Sequence, residues 1–525
     1  TKQVLFHDGI INFGKDNSLN QNVSLAFKPK LPINGLEKYL EMSGSFRTNY
    51  VWTNPLQPDP EIRDKAKQAQ YQNDIKYTIG FRLKSLADSW WGMEPKPTLG
   101  RPPSSALPGT DIVSYVGRMF KFIFLDFEKI DFTFNHNKSS MNPGVLGGHG
   151  LTNFWARGMT FREGADMWGP SFPYQLGLIS NPHGSVNFVS SDRFPYFGFS
   201  TEVGLRPPDA ILQDVFNERT SFEIRTSRPL WPGATLNLTW RSELGFNRNQ
   251  SAITDENGAP EFSNIIALHS LNKSYLSFPT IFGLNIFNTD IDKVIALYEK
   301  EKAVILASDL DTIAKNQALQ NALAESFYNG LNALSFIGGD AGRFLPQVNW
   351  NIRWEGIEKW GMWGNLIKKA AIDHIYTSTY QETAKTTDIG RNIESQQIQW
   401  GFQPLIGLAL DFDEKKLDGN LNATLRWNVT KSYSLISSSR SMIQANSSHE
   451  ILGVASYTMK EFEFPLLGLN LKNDFELSFT GSYKHNNRAS YDVLGVNTQD
   501  GQRLDGNTQI VVEPRARYSL SDRVT

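Results

Sequence analysis

Asp290-Ile291-Asp292 and Asp309-Leu310-Asp311 each set two carboxylates two residues apart, as Ca²⁺-binding loops do. Each also stands where a helix should begin, and a carboxylate at the positive end of a helix dipole needs no metal. His374 is a lone imidazole on a strand, the setting of a structural hydrogen bond rather than of a ligand set. Glu461 and Glu463 form a carboxylate pair in a turn, where water solvates both. The chain has eight His and no HExxH, GxSxG, Walker or EF-hand spacing. The Gly147-Gly148-His149-Gly150 loop opens no clear helix and so offers no phosphate cradle. No catalysis, cofactor or metal is expected. What remains is a set of polar residues at alternate positions of long strands: Arg241, Glu243, Gln399, Gln403, Arg426, Glu476, Lys484, Arg515 and Arg517. Facing a lumen, they would shape an aqueous passage.

The elements that carry them are strands with a side-chain period of two. Leu421, Ala423, Leu425, Trp427 and Val429 alternate with Asn422, Thr424, Arg426, Asn428 and Thr430. Trp400 and Phe402 alternate with Gln399 and Gln403; Phe475, Leu477 and Phe479 alternate with Glu476, Ser478 and Thr480. Leu236, Leu238 and Trp240 stand against Thr235, Asn237, Thr239 and Arg241. Each run is about as long as a tilted strand needs to cross a bilayer, roughly 9–11 residues. Soluble antiparallel sheets alternate too, but several such strands in series favour a transmembrane barrel. The expected lipid-facing set is Leu236, Leu238, Trp240, Trp400, Phe402, Leu425, Trp427, Phe475 and Phe479. The expected turns are short at Asp413–Gly419, long at Lys431–Ser448, moderate at Lys460–Asn473 and long at Asn487–Asn507. That alternation suits short periplasmic turns and longer outer loops.

Composition narrows the class. The 525 residues include no Cys, which excludes disulfides and thiolate metal sites. A net charge of −2 gives no reason to expect nucleic acid as a partner. Aromatics reach 12%, with 34 Phe and 13 Trp, a surplus that fits interfacial girdles. No window approaches a transmembrane helix, so a spanning fold would have to be a closed barrel. The start at Thr1 without a leader leads us to expect a piece of a longer secreted precursor.

The fold expected is all-β: an antiparallel transmembrane β-barrel segment of about 14–16 strands, part of a larger barrel, with a helical insert. Residues 1–288 and 346–525 supply the strands. Residues 289–345 supply the insert, placed in the lumen or at the periplasmic mouth, with Asp309 capping its second helix. A further amphipathic helix is expected within Asp111–Phe127. The strand ending near Phe278 and the strand Trp350–Gly356 pose a problem of direction. If both descend, a helical insert between them must thread the lumen, or Trp350–Gly356 does not span.

Pro346-Gln347-Val348-Asn349-Trp350-Asn351-Ile352-Arg353-Trp354-Glu355-Gly356, then His374-Ile375-Tyr376-Thr377-Ser378-Thr379-Tyr380, then Phe402 and Pro404-Leu405-Ile406-Gly407, occur in an order that resembles the SprA (Sov) family. Asn142-Pro143-Gly144 is similar to that family's Pro-Gly loop. Trp354 stands where the family tends to have Tyr, and Ile357 where it tends to have Leu. These are giant outer-membrane translocons of the type IX secretion system. The resemblance implies the C-terminal part of a protein-conducting channel in a Gram-negative outer membrane. Its partners would be outer-membrane lipid, secreted cargo with C-terminal sorting domains, a plug protein and a PorV-like barrel. In gliding bacteria the cargo includes motility adhesins. The competing readings are a stand-alone porin or small-molecule transporter, a barrel enzyme and a soluble β-rich adhesin.

Overall fold

The computed structural model describes residues 6–7, 10–11, 17–29, 35–55, 59–91, 127–146, 169–183, 186–189, 196–199, 203–204, 206–277, 291–333, 344–360, 366–387, 390–436, 442–466, 469–493 and 502–518. Its core is one antiparallel sheet of fourteen strands. In chain order these are β1 (Ser18–Phe27), β2 (Leu40–Thr53), β3 (Gln68–Phe81), β4 (Ile130–Pro143), β5 (Ile211–Trp231), β6 (Ala234–Thr254) and β7 (Pro260–Ser274). Then follow β8 (Asn349–Glu355), β9 (Ile367–Thr387), β10 (Gly390–Phe412), β11 (Asn420–Ile436), β12 (Met442–Leu466), β13 (Leu469–Asp492) and β14 (Gln502–Tyr518). Nearly every strand pairs with its chain neighbour, so the sheet is a meander running from β1 to β14. Among the described residues those two end strands do not pair with each other. The helices are α1 (Pro60–Ala66), α2 (Leu83–Trp91), α3 (Phe172–Gln175), α4 (Ile291–Leu306), α5 (Thr312–Gly330) and α6 (Glu414–Leu417). None is long and apolar enough to cross a membrane.

The strands are longer than the alternation predicts. Lys431–Ser448, expected as a long loop, is mostly ladder: β11 runs to Ile436, β12 starts at Met442, and Lys431 pairs with Ser447. Lys460–Asn473 is also mostly strand, broken by a bulge between Met459 and Phe462 in which Glu461 takes φ 54°. Asn487 pairs with Gly506 inside the third expected loop. Short and long connections therefore do not alternate as expected. The physical reason is that small polar residues such as Ser432, Ser434, Asn446, Ser447 and Ser448 read as loop, while backbone pairing continues through them and Tyr433, Leu435 and Ile443 keep one face apolar.

The direction problem has a simple answer. β7 and β8 occupy one column of the sheet. β7 pairs with the upper part of β6, from Ser242 opposite Lys273 upward. β8 pairs with its lower part, from Thr239 opposite Asn349 downward. Both halves lie against β9 in the same way. The chain leaves the sheet after Ser274, builds α4 and α5, and returns in phase at Asn349. The exit and entry are bolted together. The Gln347 N–H donates to the Ser274 carbonyl (2.9 Å), and the Arg241 N–H donates to Ser274 Oγ (3.1 Å). The Tyr376 hydroxyl donates to the Ser277 carbonyl (2.5 Å) and accepts from the Ser277 N–H (3.0 Å).

The helices fold as an antiparallel pair. Gly330 lets them close, since a Cβ there would sit 2.5 Å from Val294 Cγ2. Asp311, not Asp309, caps α5, its carboxylate accepting the Ala314 N–H at 2.6 Å. The expected stripes bury Ile291, Val294, Ile295 and Tyr298 with Leu323, Phe327 and Leu331 against Tyr376, Tyr380, Ile398, Trp400, Phe402, Tyr433 and Ile443. Burial pushes the Tyr298 phenol above its ordinary pKa. The expected helix start at Asp290, nearly all of the Asp111–Phe127 helix and Gly147–Gly150 lie outside the described residues.

Candidate functional site: two unlike faces of one wall

Register partners share a face, so the pairing sorts every strand residue onto one of two sides. One side carries a belt of apolar residues. In β14 it is Ile510 and Val512; in β13, Leu477, Phe479 and Tyr483; in β12, Ile451; in β11, Leu425 and Trp427; in β10, Ile406 and Leu408. It continues through Ile372, through Trp350 and Trp354 of β8, and through Leu236, Leu238 and Trp240 of β6. From there it passes Phe222 and Ile224, Phe132 and Phe134, Tyr77 and Ile79, and Phe46, ending at Leu25 and Val23 of β1. Much of it is bare. Ile510 is 70% exposed, Val512 61%, Leu25 58% and Leu425 51%.

The belt is not level with the hydrogen-bonding rows. Val512 shares a row with Gly481, Gly453, Leu425, Leu408, Ile372, Trp354 and Ala234. In β6 the belt centres on Leu238, four residues along from Ala234, and in β2 it lies further along still. It climbs a little under one residue per strand. With ~3.3 Å per residue and ~4.8 Å between strands, the strands cross the belt at a tilt of roughly 30°.

Three covers sit on this same side, each beyond the belt in one direction. The α4–α5 pair covers β9 to β12. Residues 169–183 cover β2 to β4, where Tyr174, its phenol pushed well above the ordinary range by burial, donates to the Ala69 carbonyl (3.0 Å) and to Asn142 Oδ1 (2.8 Å). Between them Arg206, fully buried, donates to both carboxylate oxygens of Asp214 (2.8 and 2.9 Å) and to the Pro143 carbonyl (2.8 Å).

The opposite side is polar and curves inward. A depression of about 690 Å³ is walled by Gln72 of β3, Asn137 of β4, Asn217 of β5, Glu243 of β6, Ser270 of β7 and Thr383 of β9. A second, of about 420 Å³, reaches from Gln399 of β10 to Asn507 of β14. A third, of about 440 Å³, lies near the other end of β2 and β3 around Glu41 and Gly80.

Charges on this face meet their opposites. Among the register partners whose side chains are described, eight on this face pair opposite signs: Arg47 with Asp74, Asp131 with Arg225, Glu223 with Arg241, Arg353 with Asp373, Lys369 with Asp411, Glu450 with Lys484, Glu476 with Arg517 and Arg488 with Asp505. No two like charges are register partners among the described strands. Arg241 reaches Glu243 at 3.2 Å, Arg353 reaches Asp373 at 3.6 Å, and Arg488 reaches Asp505 at 3.8 Å.

The two sets expected from the sequence separate onto the two sides. Arg241, Glu243, Gln399, Arg426, Glu476, Lys484, Arg515 and Arg517 all lie on the concave polar face. Gln403 falls in the bulge between Phe402 and Ile406 and has no register partner. Leu236, Leu238, Trp240, Leu425, Trp427, Phe475 and Phe479 lie on the belt side. So do Trp400 and Phe402, but α4 and α5 cover them: they are 3% and 2% exposed and are not part of the bare belt. The insert thus stands on the side of the sheet opposite the polar depressions. His374 donates through Nδ1–H to the Leu405 carbonyl (2.7 Å), the structural bond its isolation predicts. The charge pairing was beyond the reach of the sequence, because it depends on register and alternation carries no register.

No protein-family model and no curated protein matches the chain.

Proposed function

We propose that this sheet is an arc of an outer-membrane β-barrel in a Gram-negative bacterium, with lipid against the belt and water against the concave face. The observation that carries the reading is the belt. It crosses the whole meander on one side while the depressions occupy the other, and the strands cross it near the ~35–45° tilt of known outer-membrane barrels. β12, at 25 residues, would measure roughly 80 Å, about three times the ~25 Å apolar band of such barrels. The wall would therefore stand well clear of the bilayer. The three covers form a shoulder on its outer perimeter, just beyond the headgroups.

The passage behind the wall conducts secreted cargo with C-terminal sorting domains, in the manner that the resemblance to SprA-type translocons implies. It works without catalysis of its own, with a plug protein and a PorV-like barrel as its gating partners.

Two experiments test this. The chain has no Cys, so single cysteines can be placed and spin-labelled in detergent-extracted, lipid-reconstituted full-length protein. Labels at Leu425→Cys and Ile510→Cys should be open to oxygen and shielded from a water-soluble nickel chelate, and a label at Arg426→Cys should show the reverse. Equal access at all three sites would sink the barrel reading. For the cargo, depletion of the full-length protein should move sorting-domain proteins from the medium to the periplasm. An unchanged secreted set with reduced solute uptake would make the protein a porin instead.

A further inference from the structure

We infer that the passage is electrically self-compensated and so admits cargo of either net charge. The inference rests on the reading of the concave face as a lumen and adds the selectivity of that lumen. A pore that selects by charge concentrates one sign in a ring. This face does the opposite: each of the eight charge pairs places its counter-charge on the adjacent strand, at the same level. Arg47 with Asp74 and Glu476 with Arg517 lie near opposite ends of the sheet, so the cancellation extends along the whole wall. Between the pairs, the depressions are lined by amides and hydroxyls such as Gln72, Asn137, Ser432 and Asn446, which hydrate any cargo without preferring a sign.

Stability does not explain the pattern well. An exposed pair such as Arg488 with Asp505, both more than half exposed, is screened by water and contributes little. Pinning the register is a second structural role, and the permeability readout separates it from the one proposed. At separations of a few ångströms the field of such a pair falls away across the lumen much faster than that of a single charge. A long folded cargo with patches of both signs would then meet no electrostatic trap.

The test is the reversal potential of the full-length protein in planar bilayers at about 10 mM KCl, where the Debye length is ~30 Å and uncompensated charges act across a wide lumen. The wild type should give a potassium-to-chloride permeability ratio within about twofold of one. The swap Glu450→Lys with Lys484→Glu keeps the pair and should keep the ratio. Neutralising one sign, by Asp74→Asn, Glu243→Gln, Glu450→Gln and Asp505→Asn together, should turn the channel at least threefold toward chloride. A wild-type ratio beyond tenfold in either direction overturns the inference while leaving an aqueous passage intact. So does a neutralised variant that conducts with an unchanged ratio. If the open full-length protein carries no current at all, the lumen reading itself falls, and this inference with it.

Discussion

Tyr376 is the residue on which the insert turns. Its hydroxyl satisfies both the carbonyl and the N–H of Ser277, and its ring stacks on Trp350 at 4.2 Å between centroids. Tyr376→Phe keeps the stack and leaves two buried backbone groups unpaired, which should cost about 1–3 kcal/mol. Faster limited proteolysis around residues 275–348, with the strands unaffected, is the expected outcome. Arg206 is a harsher case. In Arg206→Met the buried carboxylate of Asp214 loses its guanidinium, and the cost should be about 3–5 kcal/mol by denaturant unfolding in detergent. Glu358 supplies a pH response. Its carboxylate accepts the Ala370 N–H at 3.0 Å, and that bond holds it below the ordinary carboxylate range. A depressed pKa stabilises the fold above the ordinary range, and the contribution is lost as pH falls through the lowered value. The protection factor of the Ala370 amide, its exchange corrected for the intrinsic dependence on pH, should therefore fall in acid, and Glu358→Gln should flatten that dependence.

At the scale of elements, the in-phase return of β8 makes a sharp prediction. Ser274 lies beside Arg241, and Asn349 lies opposite Thr239, so only Val348 is needed between them. Deleting residues 275–347 should splice β7 to β8 as one strand with no register slip. The shortened chain should retain its strand content by circular dichroism and its belt. It should bare Ile398, Trp400, Phe402 and Tyr433, and so need more detergent to stay dispersed. Loss of the strand signal would show that the insert holds the wall up rather than covers it. The same column shows what could be read from the sequence and what could not. Alternation reveals Leu236, Leu238 and Trp240 because one side there is apolar and the other polar. It reveals the helices because Ile291, Val294, Ile295 and Tyr298 keep a helical period. It does not reveal that Trp400 and Phe402 lie under those helices, since an apolar face reads the same whether lipid or protein covers it. The outer halves of β11 to β14 stay hidden because their many Ser and Asn residues read as loop, although Tyr433, Leu435 and Ile443 keep one face apolar.

For the whole molecule, the strand edges of β1 and β14, which do not pair with each other among the described residues, and the belt's roughly 30° tilt belong to one open meander. The aromatic content pointed to such a wall, but its curvature emerges only from depressions that span five or six strands. The residue pairs of the concave face likewise become meaningful only together, as a surface with little net field.

The position of the helical pair also has a consequence in time. Most of its seat is built from Tyr376 and Tyr380 of β9, Ile398 to Phe402 of β10, Tyr433 of β11 and Ile443 of β12, all of which follow it along the chain. The helices can pair with each other as soon as they exist, and Lys273, Tyr275 and Leu276 before them already meet Tyr328 and Ala333, yet the rest of their seat waits for four later strands to be laid side by side. They are the last piece to settle in this stretch, and their settling reports that the strands around them have been added in the right order.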